Sequence, residues 1–514
     1  MGRRRLVIAF LVFAAIAATA FFVPSLAADA VRASAEARLS AALGQPVTIG
    51  NIGFSIAPRP AFTGSDIRVG DADRQAPGVR IERIRLIPQV SSLFSDTVRI
   101  EQIRLDGFSV SLLRDRARRW HVPSAVPAPA GGARSAVAID RVSVAEGGVH
   151  VFHEADGTAR ETSRIGEVRA DMAIEADGIR LAPLTGRVGS ATINGEARTD
   201  ARSVLLSFET PAIADADLAP LLGLLAWVRP AAVRLDAPAA VSVSITIDRA
   251  TSRLAGRGTL RVPGLTVQPL RLQRLEAPFT IDGTQLTFTP AKFALHGGSH
   301  TGRVTLALDR DPARWAADSR LEGINVGELL DTLAGRDAGI EGTGRVEAKL
   351  QGRVEPDFVA GSEGWARVAL ADGVLRNFPL LATVNRTLGL AAAEGNDTRF
   401  ERLSAALAIA RGIASTDDLL VEAGHLRVEL AGRIGFDRTV DLRGRVTVSK
   451  ERAAAAVASV RELARLRNGR GEIVLPLTID GTLDAPRFGL DVASAIREGF
   501  RDELKRRLNR LIRR

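Results

Sequence analysis

The sequence predicts a mainly β protein whose antiparallel strands each have one apolar side and one polar side. The clearest evidence is an octet, VRIERIRL at Val79–Leu86, which returns as VRIEQIRL at Val98–Leu105 and more loosely as VAIDRVSV at Val137–Val144. Its apolar residues stand at alternate positions, and alternate side chains of a strand point to the same face. Because Arg and Glu occupy the positions between, each octet predicts a strand with one dry and one solvated side.

Bulge and turn signals are the second kind of evidence for strands. Ile81 and Ile84 are separated by an odd step, which predicts a bulge or bend near Glu82–Arg83. Asp106-Gly107 has turn chemistry and predicts a hairpin that leads into Phe108–Leu113. The same dipeptide recurs at Asp177-Gly178, Asp282-Gly283, Asp372-Gly373 and Asp480-Gly481.

Alternating segments continue along the chain, and short Leu- or Ala-rich segments with helical spacing interrupt them. Further strands are predicted at Val47–Ile56, Phe62–Val69, Ser203–Phe208, Val241–Ile247, Gln285–Phe288, Arg303–Leu308, Gly344–Leu350, Trp365–Leu370, Leu426–Leu430 and Glu472–Ile479. Helices are predicted at Ala28–Leu43, Leu218–Ala226, Val326–Leu333, Phe378–Leu388 and Lys450–Leu466.

Length and composition limit the class of protein. A chain of 514 residues with 46% apolar residues predicts two or more domains or an elongated array. Without cysteine it has no disulfide framework and no thiolate chemistry. The net charge is +10, of which Arg3–Arg5 supply +3 and Arg497–Arg514 supply +5, so +2 remains for the rest of the chain. This nearly neutral body argues against a nucleic-acid partner.

The N-terminal residues predict a membrane anchor. Leu6–Val23 is an apolar run that follows Arg3–Arg5, and its 18 residues would cover about 27 Å as a helix. The arginines favour the cytoplasmic side, so the body would lie on the other side of the membrane. Because small residues at Ser25–Ala27 fit a cleavage site, the alternative is a cleaved secretory signal. Either interpretation exports the body.

The C-terminal residues predict a basic amphipathic helix over Ala493–Arg514. Such a helix suits a membrane surface or a partner protein. It could equally pack on the last strands, with its arginines solvated. The residues predicted to make the membrane or partner contact are Phe500, Leu504, Arg507, Leu508 and Leu511.

No pattern in the sequence predicts catalysis, a metal site or a cofactor. His150 and His153 are three apart in a predicted strand, so they should face opposite sides and cannot share one metal ion. His296 and His300 flank a turn and could converge, which leaves a secreted hydrolase as a minor hypothesis. The chain lacks nucleophile-elbow, phosphate-loop, zinc-protease and EF-hand motifs. We therefore expect a protein that is not an enzyme.

Five segments of the chain resemble one known family. They are AEARLSAALGQPVTIGNIGFSIAPRP at Ala35–Pro60, RIEQIRLDGFSVSLLRDRARRWHVPS at Arg99–Ser124, INVGELLDTLAGRDAGIEGTGRVEAKLQGRV at Ile324–Val354, GWARVALADGVLRNFPLLATVNRTLGL at Gly364–Leu390 and IVLPLTIDGTLDAPRFGLD at Ile473–Asp491. Together with the predicted anchor, they resemble the AsmA family of envelope proteins. The middle, about 134–316, resembles the family mostly by pattern.

The resemblance implies a fold that the strand pattern leaves open. One-faced strands alone favour closed sandwiches, in which two sheets bury their apolar faces together. AsmA-family proteins are similar to bridge-like lipid transfer proteins, whose long sheet is curled around acyl chains. The resemblance therefore implies an elongated, curled antiparallel β-sheet groove with short interrupting helices. An N-terminal transmembrane helix and a C-terminal amphipathic helix would flank it.

The resemblance also implies a function and a location. The body would lie in the periplasm, anchored in the inner membrane, and would bind phospholipid to support lipid transport to, and integrity of, the outer membrane. The C-terminal helix would contact the outer membrane or an envelope protein. The alternative is a non-catalytic scaffold or regulator that aids outer-membrane protein assembly. Candidate groove-lining residues are Val47, Ile49, Ile81, Leu86, Ile103, Leu105, Val110 and Leu112.

The chain is therefore divided into six predicted parts. The segment 123–133 is rich in Pro, Ala and Gly and predicts a linker. The parts are an anchor at 1–27, a helix and sheet region at 28–122, the linker at 123–133, a middle β region at 134–323, an AsmA-like C-terminal β region at 324–492 and the basic helix at 493–514.

Overall fold

Alternating apolar and polar residues form strands along most of the chain, as the sequence predicts. A computed structural model describes the chain over 28–43, 45–55, 59–70, 78–89, 91–92, 98–115, 120–121, 137–155, 158–175, 178–200, 202–224, 233–248, 250–251, 253–308, 312–354, 360–391 and 395–491. Within these ranges the chain forms 26 strands and five short α-helices. The prediction of a mainly β, antiparallel protein with short interrupting helices is confirmed.

The chain divides into two compact units. Unit 1 comprises Met1–Arg229, Leu235–Pro263 and Pro278–Thr284. Unit 2 comprises Pro230–Arg234, Gly264–Ala277 and Gln285–Arg514. Three of the points at which the chain passes between the units fall within strands. These strands are β12 (Val233–Leu235), β14 (Leu254–Val267) and β15 (Leu270–Asp282).

Successive strands of unit 1 are antiparallel neighbours, with one exception. β4 (Val98–Arg114) pairs in parallel with β6 (Val137–Ile139) and β7 (Val142–Ala155). Among the described pairings, β1 (Val47–Ser55) has β2 as its one neighbour, and β13 (Ala239–Asp248) pairs onward with β14, so the strands of this unit do not close into a barrel. The remaining strands are β1 (Val47–Ser55), β2 (Ala61–Val69), β3 (Gly78–Pro88), β4 (Val98–Arg114), β5 (Trp120–His121), β6 (Val137–Ile139), β7 (Val142–Ala155), β8 (Thr158–Ile174), β9 (Gly178–Val188), β10 (Ala191–Asp200), β11 (Ser203–Ile213) and β13 (Ala239–Asp248).

Two helices pack on the sheet of unit 1. Helix α1 (Ala28–Leu43), which has the predicted bounds, covers the edge strand β1. Glu36 accepts the backbone N–H of Ile49 at 2.7 Å, and Ser40 accepts that of Val47 at 2.8 Å. These contacts satisfy donors that an edge strand would otherwise leave free. Helix α2 (Asp215–Leu224) follows β11 and packs on β8 and β9.

The irregularity that the sequence predicts near Glu82, a bulge or a bend, is present as a skipped pair of residues and extends across neighbouring strands. The register runs from Ile81 opposite Ile67 to Arg83 opposite Ser65, and the described pairings skip Glu82 and Asp66. Asp66 has a φ of 51°, a left-handed conformation. This extra position restores the apolar face after the odd step.

Three Asp-Gly dipeptides lie inside strands, at Asp106-Gly107, Asp372-Gly373 and Asp480-Gly481, and the first of them corrects the hairpin prediction. Asp106-Gly107 lies within β4, a continuous strand of 17 residues, so Phe108–Leu113 is the second half of that strand. Gly107 has a φ of 66° and is one of the two residues that the pairing of β3 with β4 skips. Asp372, with a φ of 51°, lies within a strand in the same way. The left-handed conformation that Asp and Gly favour serves bulges as well as turns.

Unit 2 consists of successive antiparallel strands with helices inserted between neighbours. A helix follows the carboxyl end of each of three strands that run in the same direction: β18 (Arg314–Asn325), β20 (Glu363–Leu375) and β24 (Thr439–Val448). The three helices therefore lie at the same end of the strands. The strands are β16 (Gln285–Leu295), β17 (Gly298–Ala307), β18 (Arg314–Asn325), β19 (Ile340–Arg353), β20 (Glu363–Leu375), β21 (Thr398–Ala410), β22 (Ile413–Ala423), β23 (Leu426–Gly435), β24 (Thr439–Val448), β25 (Ile473–Thr482) and β26 (Ala485–Leu490).

The helices of unit 2 lie close to the predicted positions. They are α3 (Val326–Ala334), α4 (Leu380–Thr387) and α5 (Lys450–Ser459), which a short 3₁₀-helix (Arg461–Leu466) continues. The Asn325 side chain caps α3 by accepting the backbone N–H of Glu328 at 3.2 Å.

Three predicted segments lie outside the described residues: the anchor Leu6–Val23, the linker 123–133 and the C-terminal helix Ala493–Arg514. Within the residues that the structure describes, no helix combines the length and the apolar composition needed to cross a bilayer.

Candidate functional site

One face of the sheet in unit 1 is apolar from strand to strand. Residues directly opposite each other in a register share a face of the sheet. Residues that are partners on successive neighbouring strands therefore form rows that cross the sheet on one face. One row contains ten apolar residues on ten successive strands: Phe54, Phe62, Leu86, Ile103, Val142, Met172, Leu181, Ala197, Leu206 and Ile245.

A second row runs beside the first on the same face. Strands are about 4.8 Å apart, so the nine steps of the first row cover roughly 43 Å. We call the surface that both rows form the apolar face. The second row contains Ile84, Leu105, Val144, Ala170, Leu184, Gly195, Phe208 and Val243.

Of the eight predicted lining residues, Leu86, Ile103 and Leu105 lie in the two rows. The other five, Val47, Ile49, Ile81, Val110 and Leu112, lie on the same side of the sheet, beyond the residues that the pairings skip near Glu82. Val47 and Ile49 are buried there against Ala35 of α1, so the protein's own helix covers them. Leu86 and Ile103 are buried in a cluster with Phe62. The other four are half-buried: Ile81, Leu105, Val110 and Leu112.

The opposite face carries the charged residues. Asp66 accepts hydrogen bonds from Arg68 at 2.9 Å and from Arg80 at 3.3 Å. The hydrogen bond from Arg68 lowers the pKa of Asp66 below its ordinary value. Arg180 donates to Glu196 at 2.9 Å. Because these residues are exposed and ionised, this face meets water and the apolar face is the dry side of the sheet.

The apolar face of unit 1 is only partly covered by protein. Of the twelve largest fully buried side chains among the described residues, nine lie in unit 2 and three in unit 1. Helices α1 and α2 pack on β1 and on β8 and β9, near one end of the strands. Met172, Leu181 and Leu206, in the first row, are half-buried. The surface between the helices is therefore the one that could accept an apolar ligand.

Unit 2 buries the corresponding face within its own core. Leu380 and Val384 of α4, with Leu388 just after it, pack against the strands in a large apolar cluster. Phe378 meets Phe488 of β26 edge-to-face at 4.9 Å. The covered row contains Gly344, Leu370, Leu403, Val421, Val428, Val446 and Leu475.

Arg438 joins separate loops of unit 2. It is buried, donates to the backbone oxygen of Asp337 and pairs with Asp484 at 2.7 Å. Together with the ring contact of β26, these bonds hold the last strands against the earlier ones. The core of unit 2 is thus sealed by the protein's own residues.

His296 and His300, which flank one turn, contact different groups. His300 is buried, its Nδ1 lies 3.1 Å from the Ala291 oxygen, and its ring stacks on Phe293 at 3.9 Å. Burial lowers the pKa of His300 to about 4. His296 instead pairs with Glu328 at 3.4 Å, so the two rings contact different groups.

The prediction that His150 and His153 face opposite sides of their strand is confirmed. His150 lies opposite Ser111 and His153 opposite Arg114, an odd step apart, so they occupy opposite faces. Within the described residues, no group of three His, Asp or Glu side chains is arranged to hold a metal ion.

Sequence reasoning missed the basic row that ends the apolar face. Arg114, His153 and Arg160 are register partners on β4, β7 and β8. The change from apolar residues to Arg114 at the end of β4 is the sequence signal. The predicted contact residues of the C-terminal helix, Phe500, Leu504, Arg507, Leu508 and Leu511, lie outside the described residues.

Comparison with protein families gives one match. The model of the AsmA family matches residues 4–210 and 260–419. Four of the five segments that resemble the family lie within these ranges, and Ile473–Asp491 lies beyond them. Comparisons with curated proteins and with solved structures give no significant match. Because the matched residues make up more than half of the sequence, the chain belongs to the AsmA family.

Proposed function

We propose that the protein binds lipid acyl chains on the apolar face of unit 1. In this proposal it supports phospholipid transport to, and integrity of, the outer membrane. It is anchored in the inner membrane by Leu6–Val23, with its body in the periplasm. Membership of the AsmA family and the extended β-sheet support this role. The observation that carries it is the row of ten apolar residues across unit 1, on which the described helices α1 and α2 pack only at β1, β8 and β9.

The physical chemistry of the face suits acyl chains. Backbone N–H and C=O groups of inner strands pair with neighbouring strands, so only side chains meet the ligand. Each methylene removed from water contributes about 0.8 kcal/mol, in a groove as in a bilayer. Movement from one apolar row to the next therefore leaves the ligand at similar free energy. It needs no covalent step and no catalytic residue.

A matched pair of substitutions tests the proposal. Leu206 lies on the apolar face, whereas its neighbour Leu205 lies on the polar face opposite Arg198 and is 37% exposed. The full chain is purified in mild detergent, and the bound phospholipid is extracted and quantified. We expect Leu206→Arg to reduce bound lipid severalfold and Leu205→Arg to leave it unchanged. A lipid-free wild type, or equal loss in both variants, would contradict the proposal.

The scaffold hypothesis has one observation in its favour, the sealed core of unit 2. A scaffold would keep its assembly partner when the apolar face is blocked. Cells that carry Leu206→Arg should lose their outer-membrane barrier if lipid transport is the function. A normal barrier, with an outer-membrane assembly factor still captured by the variant, would favour the scaffold.

A further inference from the structure

The hairpin of β21 and β22 in unit 2 is almost free of charge toward its turn. The fourteen residues 403–416 contain one charged residue, Arg411. Arg411 and Gly412 form the two-residue turn, with φ values of 51° and 71°, and Ala410 lies directly opposite Ile413. The end of this hairpin therefore presents aliphatic and small side chains around a single guanidinium.

Three large apolar side chains are exposed at this end of neighbouring strands. Ile413 is 41% exposed, Trp365 of β20 is 40% exposed, and Phe436, which follows β23, is 38% exposed. Trp365 lies opposite Ala408 of β21, and the Phe436 backbone N–H donates to the Gly412 oxygen at 2.8 Å. We call these three side chains, together with the turn between β21 and β22, the apolar tip. Clustered exposed apolar residues mark an interaction surface, whereas scattered ones do not.

Trp365 and the hairpin residues beside it lie on the solvated face of the sheet. Trp365 alternates with Ala366, which is buried on the core side. Its partner Ala408 therefore shares the solvated face. On neighbouring strands this face carries ion pairs, such as Arg320 with Glu347 at 2.9 Å. The apolar tip is thus an uncharged stretch of an otherwise charged surface.

Basic side chains border the apolar tip. Arg367 lies over the Trp365 ring, 5.2 Å from its centroid. Lys349 of β19 lies opposite Trp365, and the same row reaches Arg433 two strands beyond β21. With Arg411 in the turn, four basic residues surround the exposed apolar side chains.

Acidic side chains are fewer among the described residues of this end. Glu363, at the start of β20, and Asp437, in the turn after β23, are the nearest. The Asp437 carboxylate accepts the Thr439 backbone N–H at 3.0 Å and its hydroxyl at 2.7 Å. Asp318 and Asp441 lie one strand farther out, beyond the basic residues of the row. The immediate border of the apolar tip is therefore mainly basic, which complements an anionic surface.

The backbone of the hairpin can meet an apolar medium without unpaired groups. β21 pairs with β20 and β22, and β22 pairs onward with β23, so neither strand has a free edge. Ala408 and Ala410 offer a rigid protein partner little contact area. A fluid bilayer, in contrast, surrounds protruding Trp and Phe side chains, which are favoured at the level of the lipid headgroups.

We propose that the apolar tip of unit 2 docks on the surface of a phospholipid bilayer that contains anionic lipids. Trp365, Ile413 and Phe436 enter the headgroup region, and the bordering basic residues contact lipid phosphates. This contact is separate from the predicted anchor and does not use the apolar face of unit 1. It therefore goes beyond the proposed function and gives the chain a second site of membrane contact.

Fluorescence at the apolar tip tests the proposal. The chain has no cysteine, so Ala410→Cys can carry a single polarity-sensitive label next to the intact Ile413. The full chain is held in nanodiscs of dioleoyl phosphatidylcholine and mixed with separate vesicles, with or without dioleoyl phosphatidylglycerol. We expect the emission to shift to shorter wavelength with the anionic vesicles alone. The same label at Ala454, exposed on α5 at the other end of the strands, should not respond.

Matched apolar substitutions measure the contribution of the exposed side chains. Trp365→Ser with Ile413→Ser should lower binding to the anionic vesicles by about tenfold or more, since the apolar area that enters the bilayer is lost. Leu330→Ser with Val460→Ser removes two similarly exposed side chains, at 37% and 36%, from the helical end. This control variant should bind as the wild type does.

A matched pair of arginines measures the electrostatic contribution. Arg411→Gln should lower binding to the anionic vesicles by about fivefold, as expected for one basic residue near an anionic surface. Arg470→Gln removes an exposed charge from the turn before β25, at the helical end, and should have no effect.

Three outcomes would overturn the proposal. The first is a label at Ala410 that stays in water while the chain binds anionic vesicles, and the second is equal binding by the tip and control variants. The third is a spectral shift that depends on protein concentration without vesicles, which would assign the apolar tip to a second copy of the chain. Extracted phospholipid reports on the proposed function separately. Tip variants should keep it, and a wild type without bound lipid would contradict that function while leaving the docking test intact.

Discussion

Ile103 of β4 lies directly opposite Val142 of β7 in a parallel register, and both residues hold the sixth position of their octets. The residues at the first, third and eighth positions of the two octets also lie opposite each other. These pairs are Val98 with Val137, Ile100 with Ile139, and Leu105 with Val144. Elsewhere in unit 1 the described neighbours are antiparallel. Because the two octets match, the first apolar row continues across the parallel pairing of β4 with β7. The apolar face therefore stays continuous there.

The close approach of β10 to β11 depends on a glycine of the apolar face. A Cβ on Gly195 would lie 2.1 Å from the backbone oxygen of Ser207, so the strands would have to separate. We expect Gly195→Ala to lower the free energy of unfolding by about 1–3 kcal/mol. Gly166 is the matched control, since a Cβ there meets no atom within 4 Å. Gly166→Ala should be neutral or stabilising, and denaturant unfolding measures both.

The helices of unit 2 should behave as core elements. Leu388 is 0% exposed behind α4, and Leu388→Ala should cost about 2–5 kcal/mol through a cavity. Leu330 of α3 is 37% exposed, so Leu330→Ala should cost less than about 1 kcal/mol. Thermal unfolding compares the two variants. Equal small losses would mean that α4 does not seal the core, and unit 2 would then be a second candidate for lipid binding.

His300 should make the stability of unit 2 depend on pH. Burial lowers its pKa from 6.5 to about 4, so between these values the unfolded chain binds a proton that the folded chain does not. The free energy of unfolding should therefore fall as the pH is lowered from 6.5 toward 4, by up to about 3 kcal/mol from this group.

Replacing the ring separates this effect from that of other groups. His300→Leu places an apolar side chain opposite Leu321 and removes the ionisable ring. The difference in unfolding free energy between wild type and variant should change across this pH window and stay constant above it. A constant difference at all these pH values would show that His300 does not carry the dependence.

The local features of the fold could be predicted from the sequence because they depend on neighbouring residues. The odd step between Ile81 and Ile84 requires an extra residue, and the structure places it at Glu82. Helix α1 occupies the predicted Ala28–Leu43 because its Ala-rich sequence favours a helix. The Asp106-Gly107 prediction failed because a bulge and a turn use the same left-handed backbone, and only the neighbouring strands decide between them.

The basic row and the sealed core of unit 2 could not be predicted, because both depend on distant pairings. Arg114 lies opposite His153 only through the parallel register of β4 and β7. Arg438 contacts Asp337 about a hundred residues earlier in the chain. Alternation shows which face a residue occupies within its own strand, but not which helix covers that face.

Site-specific photo-crosslinking along β4 tests the central claim most directly. A photoreactive residue is placed in turn at Leu105, Val110 and Leu112 on the apolar face. The matched positions on the other face are Arg104, Ser109 and Ser111. The full chain is then irradiated in its native membranes, and crosslinked phospholipid is detected by mass spectrometry.

We predict phospholipid adducts at the first three positions and none at the second three, an alternation that follows the two faces of one strand. Adducts at both sets, at neither set, or only at the second set would contradict acyl-chain binding on the apolar face of unit 1.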